Sequence, residues 1–188
     1  KRLLTTILTT LLTAIGLQAA SSFTNVKLTV SGMTVTMSNG KTTIKIGSNG
    51  RASSMKWGSR ELLDGSNGIY FDYTTAQGNK ALSPSELKII KQTDEMCEVL
   101  YSATSGNTIF QQGYIMRNDI AGVYTYVIAT GTATSASEPL KEVRVCTRLA
   151  SDMLNGYVDY RMNGKLPTNA EMAEAEKNQI QDATYYLS

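Results

Sequence analysis

The feature that most constrains this chain is a strict alternation of apolar and polar residues in short runs, cut by glycine and asparagine. VKLTV (26–30), MTVTMS (33–38) and TTIKIG (42–47) each repeat with period two, with SG and NGK between them. Successive side chains of a strand point to opposite faces, so runs of this kind bury one face and wet the other. Connections this short, rich in Gly and Asn, fit hairpins. SNGR (48–51) reads as another turn, followed by SSMKWG, RELL, GIYFDYT, ELKIIKQT and EMCEVLYSA. Longer strands follow in NTIFQQGYIMRN, GVYTYVIATGT and LKEVRVCTRLA, with NDIAG (118–122) as a tight hairpin loop. A series of about ten strands at hairpin spacing predicts an all-β fold, a large antiparallel β-sandwich. Only EMAEAEKNQ (171–179) has helical composition, with Asn169 as its candidate cap. Because it is polar all round, it reads as an exposed loop or a single turn, and DATYYL (182–187) returns to strand.

Composition narrows the chemistry. With 188 residues, 41% hydrophobic and 18% charged, the chain can enclose one real core, and it is neither a disordered polymer nor a disulfide scaffold. The sequence contains no His, which excludes a Ser-His-Asp triad, an HExxH zinc site and an imidazole base. Two Cys cannot build a Cys-only structural zinc site, and whether Cys97 and Cys146 pair is open at this level. The acidic residues are scattered and DYRMNGK lacks the spacing of a calcium loop, so neither a metal nor a cofactor is expected. Lys, Arg, Tyr, Asp and Glu remain as carriers of any chemistry.

The first 22 residues, KRLLTTILTTLLTAIGLQAASS, have a basic start, an apolar run to Leu17 and small residues at Ala19 and Ala20. That layout predicts a secretory signal peptide over residues 1–20, followed by one sandwich domain over 21–188. A membrane anchor fits less well, because Thr pairs interrupt a run already shorter than the roughly 20 apolar residues a span requires. The expected destination is extracellular or periplasmic. Two of the 18 Lys and Arg residues, Lys1 and Arg2, lie in this leader, and the others balance the 16 Asp and Glu. A neutral mature chain gives no electrostatic footing for nucleic acid. The start at Lys1 and the stop at DATYYLS suggest a fragment whose sandwich is incomplete at its C-terminal end, and such a fragment is expected to expose an unpaired edge.

The most informative strand runs from Leu140 to Leu149. Alternation puts Val143, Val145, Thr147 and Leu149 on a core face, and Glu142, Arg144, Cys146 and Arg148 on an open one. At about 3.3 Å per residue, the two guanidiniums are roughly 13 Å apart along the strand. A guanidinium offers a planar carboxylate a bidentate fork, although from spacing alone an ion pair of Arg144 with Glu142 or a neighbouring-strand acid on a solvated face is the better account. Tyr114, Tyr124 and Tyr126 lie on neighbouring strands, where packing accounts for them. Tyr157 and Tyr160 flank Asp159 in a loop-like stretch, where sugar binding is the better use of a ring with a polar tip.

Two blocks resemble a known family. VKLTVSGMTVTMSNGKTTIKIGSNGRASSMKWGSRELLD is similar to the opening strands of the rhamnogalacturonan lyases of polysaccharide lyase family 4. QGYIMRNDIAGVYTYVIATGTATSASEPLKEVRVCTRLASDMLNGYVDYRMNGKLP has that family's order of Tyr-rich strand, loop, Arg-bearing strand and irregular loop. The resemblance implies a galactose-mutarotase-like super-sandwich that helps to cleave the rhamnose–galacturonic acid backbone of rhamnogalacturonan I, a pectin, by β-elimination. It implies Arg144 as the residue that binds and stabilises the substrate carboxylate; Arg148 is expected in a surface ion pair rather than as an assisting substrate contact, and Tyr157 and Tyr160 remain candidate substrate contacts from the loop reading. It also places the lysine base and the acid-side histidine after DATYYLS, so Lys165 is not a candidate for the base. The expected partner is the polysaccharide, for a monomer that engages neither nucleic acid nor, after leader removal, a membrane. The alternative is a non-catalytic carbohydrate-binding or adhesion β-sandwich of an exported bacterial protein.

Overall fold

A computed structural model describes residues 22–65, 67–132, 140–150 and 152, with short stretches at 156–158, 163–165, 168–175, 179–181 and 184–185. The predicted signal peptide over residues 1–20 lies outside the described residues. Four early strands, β1 (Lys27–Ser31), β2 (Thr34–Ser38), β3 (Thr42–Ile46) and β4 (Ala52–Trp57), follow the alternating runs of the sequence. They are followed by β5 (Arg60–Glu61), β6 (Ile69–Thr75), β7 (Gly78–Ala81), β8 (Glu86–Gln92), β9 (Met96–Ser105) and β10 (Thr108–Arg117). The later strands are β11 (Tyr124–Gly131), β12 (Glu142–Thr147), β13 (Gly156–Val158), β14 (Asn163–Lys165), β15 (Gln179–Gln181) and β16 (Thr184–Tyr185).

Two antiparallel sheets carry the fold. The first has eight strands in the order β1-β2-β3-β4-β6-β12, with β5 beside β4 and β7 beside β6; the second runs β11-β10-β9-β8. Val35, Met37, Ile44, Ile46, Phe71 and Tyr73 from the first sheet meet Val99, Tyr101, Phe110 and Tyr114 from the second in one core. Phe110 stacks on Tyr73 with centroids 4.2 Å apart and touches Phe71 at 5.5 Å, which locks β6 against β10.

Polar groups inside the core tie the sheets together. Tyr101 donates its hydroxyl to the Met33 carbonyl at 2.8 Å, and Tyr114 donates to the Gly50 carbonyl at 2.7 Å. The β1–β2 and β3–β4 turns of the first sheet are thus held by tyrosines of the second. Asn39 is buried, donates to the carbonyls of Arg117 and Ile120 and accepts from the backbone of Lys41 and Thr42. It joins the β2–β3 turn to the NDIAG loop and leaves no side-chain hydrogen-bonding group idle.

Three expectations need correction. Val143 and Val145 share a face with the core residues Tyr73 and Phe71, as alternation requires, yet they are 47% and 44% exposed. Leu149 is exposed as well. β12 is a terminal strand of its sheet and no described strand lies over it; alternation fixes which way a side chain points, not whether anything covers it. The segment near 171 forms a real helix, α1 (Asn169–Ala175), rather than a loop. Its cap is Thr168 rather than Asn169: the Thr168 hydroxyl accepts from the Glu171 backbone while the Glu171 carboxylate accepts from the Thr168 N–H, a reciprocal capping box. Among the described residues no helix is long and apolar enough to cross a membrane.

Candidate functional site: an arginine cluster on the outer face

Residues directly opposed in an antiparallel pair point to the same face, so the β6–β12 register decides what Arg144 meets. Arg144 lies opposite Asp72, Glu142 opposite Thr74, and Cys146 opposite Tyr70. All six belong to the outer face, because the alternate residues Phe71 and Tyr73 are in the core. Cys97 belongs to the core face of the other sheet, and both cysteines are free.

Arg144 is held by its side-on edge. Its Nε donates to Asp72 Oδ1 at 2.8 Å and its Nη2 to Oδ2 at 2.7 Å, while Glu142 Oε2 lies 3.6 Å from Nη1. The Asp72 side chain is 7% exposed and that of Arg144 43% exposed, so the pair is anchored below and open above. The Arg144 hydrogen bond holds the Asp72 carboxyl below its ordinary range, against the opposing effect of burial. The same bond raises the pKa of Arg144. Pairing with a neighbouring-strand acid is therefore present, and it occupies two of the five N–H groups a guanidinium carries. Of the other three, one on Nη1 and one on Nη2 form the end-on edge.

Arg148 sits just beyond β12. Its N–H donates to the Gly68 carbonyl and its carbonyl accepts from the Asp64 N–H, both at 2.8 Å, which fixes the backbone from both sides. Two residues past Cys146, which lies opposite Tyr70, its side chain is close enough to the Tyr70 hydroxyl for that group to raise the Arg148 pKa. From the turn before β4, Arg51 reaches the Tyr70 ring, with Cζ 4.7 Å from the ring centroid, a cation–π contact. The Arg51 charge also helps to keep Asp72 ionised.

Gly68 makes this convergence possible. Its φ is +60°, and a Cβ there would lie 1.9 Å from the Ala52 carbonyl oxygen. Only glycine lets the start of β6 approach β4 this closely, and that approach brings Arg51, one residue before Ala52, to Tyr70. Three guanidiniums thus surround Tyr70 and Asp72, with Asp72 and Glu142 as the paired carboxylates. Arg51, Tyr70 and Asp72 were not singled out from sequence, although GIYFDYT places Tyr70 and Asp72 on the polar face of one strand.

The remaining candidates are placed differently. Tyr157 lies on β13 rather than in a loop, and its side chain, like Tyr160 altogether, is outside the described residues. Tyr114 is a core residue and Tyr124 is exposed on β11. Tyr126 covers Gly113, where a Cβ would lie 2.1 Å from its Cζ, and donates to Glu98 at 2.6 Å. Burial together with Glu98 pushes the Tyr126 phenol up to about 12. Among the described residues no group of His, Cys, Asp and Glu could hold a metal ion.

No family model matches the chain. The rhamnogalacturonate lyase of Dickeya dadantii (strain 3937) is 29% identical to it over 190 residues, which is 95% of this chain. The chain is a distant relative of a rhamnogalacturonate lyase. It spans 32% of that relative's length. The similarity runs through both sheets and includes the strands that carry the arginine cluster.

Proposed function

We propose that this chain is the N-terminal part of an exported rhamnogalacturonan lyase, a polysaccharide lyase that cleaves rhamnogalacturonan by β-elimination. Similarity to the lyase over 95% of the chain carries the proposal. The proposed leader over residues 1–20 sends the protein to the periplasm or the exterior, where plant polysaccharide is met.

The chemistry demands a cation at a sugar carboxylate. The C5 proton of a uronate is weakly acidic because the neighbouring carboxylate is already negative, and its removal develops further negative charge there. A positioned guanidinium lowers that penalty, more so where water is excluded. In this proposal the end-on donors of Arg144 bind the carboxylate while Asp72 fixes the side-on edge. Asp72 is a positioning residue and spares Arg144 reorganisation during the reaction. A general base then takes the proton and the C4 glycosidic oxygen leaves. The base and acid belong to other parts of the full protein, and Tyr157 and Tyr160 are further proposed contacts.

The test is to express the complete gene and to assay rhamnogalacturonan for unsaturated products that absorb in the ultraviolet. Cleavage of rhamnogalacturonan with homogalacturonan left intact is the expected result. Absence of unsaturated ends from an intact, folded full-length protein would sink the proposal.

A further inference from the structure

Arg144 is not the most available cation of its own cluster. Asp72 and Glu142 both contact it, so an incoming carboxylate meets two negative charges beside one positive charge. The surplus positive charge is at the other end of the cluster. Among the described residues, neither Arg51 nor Arg148 is in an ion pair with a carboxylate; each is instead organised by one tyrosine. Arg51 lies over the Tyr70 ring, within reach of the Asp72 charge, and Arg148 is beside the Tyr70 hydroxyl. Arg148 also has a backbone fixed at both its N–H and its carbonyl.

A small cavity of about 30 Å³ lies beside Arg51, lined also by Asn49, Tyr70, Phe71, Ala81, Leu82 and Gln112. Gln112 is 1% exposed and its Nε2 makes no hydrogen bond by distance and angle, although the Tyr114 phenol is near enough to feel the amide. Two guanidiniums outside any carboxylate ion pair among the described residues, beside one aromatic face, favour an anion attached to a ring that can lie on the surface.

We propose that Arg51, Tyr70 and Arg148 form a second anion subsite that binds the carboxylate of another uronate residue in the same polysaccharide chain. The inference rests on the sugar-acid reading of Arg144 above and extends it. A polymer that alternates neutral and acidic sugars presents a carboxylate at every second residue. Two cation sites on one sheet face, one at Arg144 and one around Tyr70, recognise that periodicity, whereas a single site would accept any uronate. Tyr70 supplies the surface against which the sugar beside the carboxylate packs.

The experiment compares binding of a native rhamnogalacturonan oligosaccharide with that of the same oligosaccharide after its carboxyl groups have been reduced to alcohols. Calorimetry on the complete protein and its Arg51→Lys, Arg148→Gln and Tyr70→Phe variants supplies the affinities, with circular dichroism and thermal melting as controls for folding. Arg148→Gln is expected to weaken the native ligand about tenfold, the scale of one lost charge-assisted contact, and to leave the reduced ligand unchanged. Arg51→Lys keeps the charge but loses the planar stacking, and a smaller loss confined to the native ligand is expected. Tyr70→Phe keeps the ring and releases Arg148, so it should behave as a weaker form of Arg148→Gln. Equal losses for both ligands, or no preference of the wild-type protein for the native ligand, overturn the subsite. A protein that fails to cleave yet shows the carboxylate-specific losses keeps the subsite and loses the lyase reading. One that cleaves while folded Arg148→Gln binds like wild type keeps the lyase reading and loses the subsite.

Discussion

The outer faces of the two sheets each carry a tyrosine beside an acid, and they are built for opposite ends. On the second sheet Tyr126 folds over Gly113 and donates to Glu98, so donor and acceptor satisfy each other locally. On the first sheet Tyr70 has two cations near it, Arg51 and Arg148, and Asp72 is paired with a third, Arg144. In the first arrangement the phenol is spent on a carboxylate. The second has donors in excess of acceptors. A tyrosine on a strand therefore carries no functional meaning alone; the charges brought around it by register and loop decide the matter.

The comparison is broken most severely at Gly68. Gly68→Ala adds an atom 1.9 Å from the Ala52 carbonyl at a positive φ, so β4 and β6 must separate. A loss of about 3 kcal/mol or more is expected in denaturant unfolding, beyond the ~1–2 kcal/mol of the left-handed conformation alone. A nearly unchanged midpoint would show that the approach of Arg51 to Tyr70 does not depend on this glycine.

Arg144→Ala in the complete enzyme should lower kcat/KM by about 10²-fold, the usual worth of one positioned donor to a developing oxyanion. Turnover close to wild type would remove Arg144 from the reaction. Asp72→Asn leaves the guanidinium present but less firmly held, and a drop of about tenfold is expected by the same reasoning. A pH series sharpens this. The folded-state pKa of Asp72 lies below the ordinary value of 3.8, so its stabilising effect is complete above that value and fades as pH falls through the lowered one. Asp72→Asn should erase that part of the acid limb in a stability–pH curve, and an unaltered limb would refute the linkage.

The second sheet should respond more mildly. Gly113→Ala displaces the Tyr126 ring at a cost of about 1–2 kcal/mol, read by thermal melting, with no effect on binding of an acidic oligosaccharide. Loss of that binding would show that the two faces are not independent. The smallest effect is spectroscopic. The Tyr126 phenol titrates near 12 against an ordinary 10.0, so its contribution to stability is full below pH 10 and is lost as pH rises through the higher value. Glu98→Gln should bring that titration down, as followed by ultraviolet absorbance, and an unmoved curve would assign the shift to burial alone.

Much of the architecture was legible because it is local. The runs at 26–30, 33–38 and 42–47 match β1, β2 and β3 to within a residue or two, and NDIAG connects β10 to β11. The outward direction of Arg144 also followed from period two alone. The site resisted for two different reasons. Arg144 and Asp72 are 72 residues apart, so no local pattern names one as the partner of the other. Arg51 belongs to a turn, where alternation makes no statement about side-chain direction. The missing cover over Val143 and Val145 has the same origin, since burial depends on which other strands arrive.

By itself, the sequence determined that this chain makes antiparallel strands with one apolar and one polar side, because the two-residue period and the Gly/Asn turns are properties of neighbouring residues. Only the tertiary structure decided which guanidinium is neutralised and which is left charged. That depends on cross-strand register and on a single close backbone approach at Gly68, and both arise only once strands distant in the chain lie side by side.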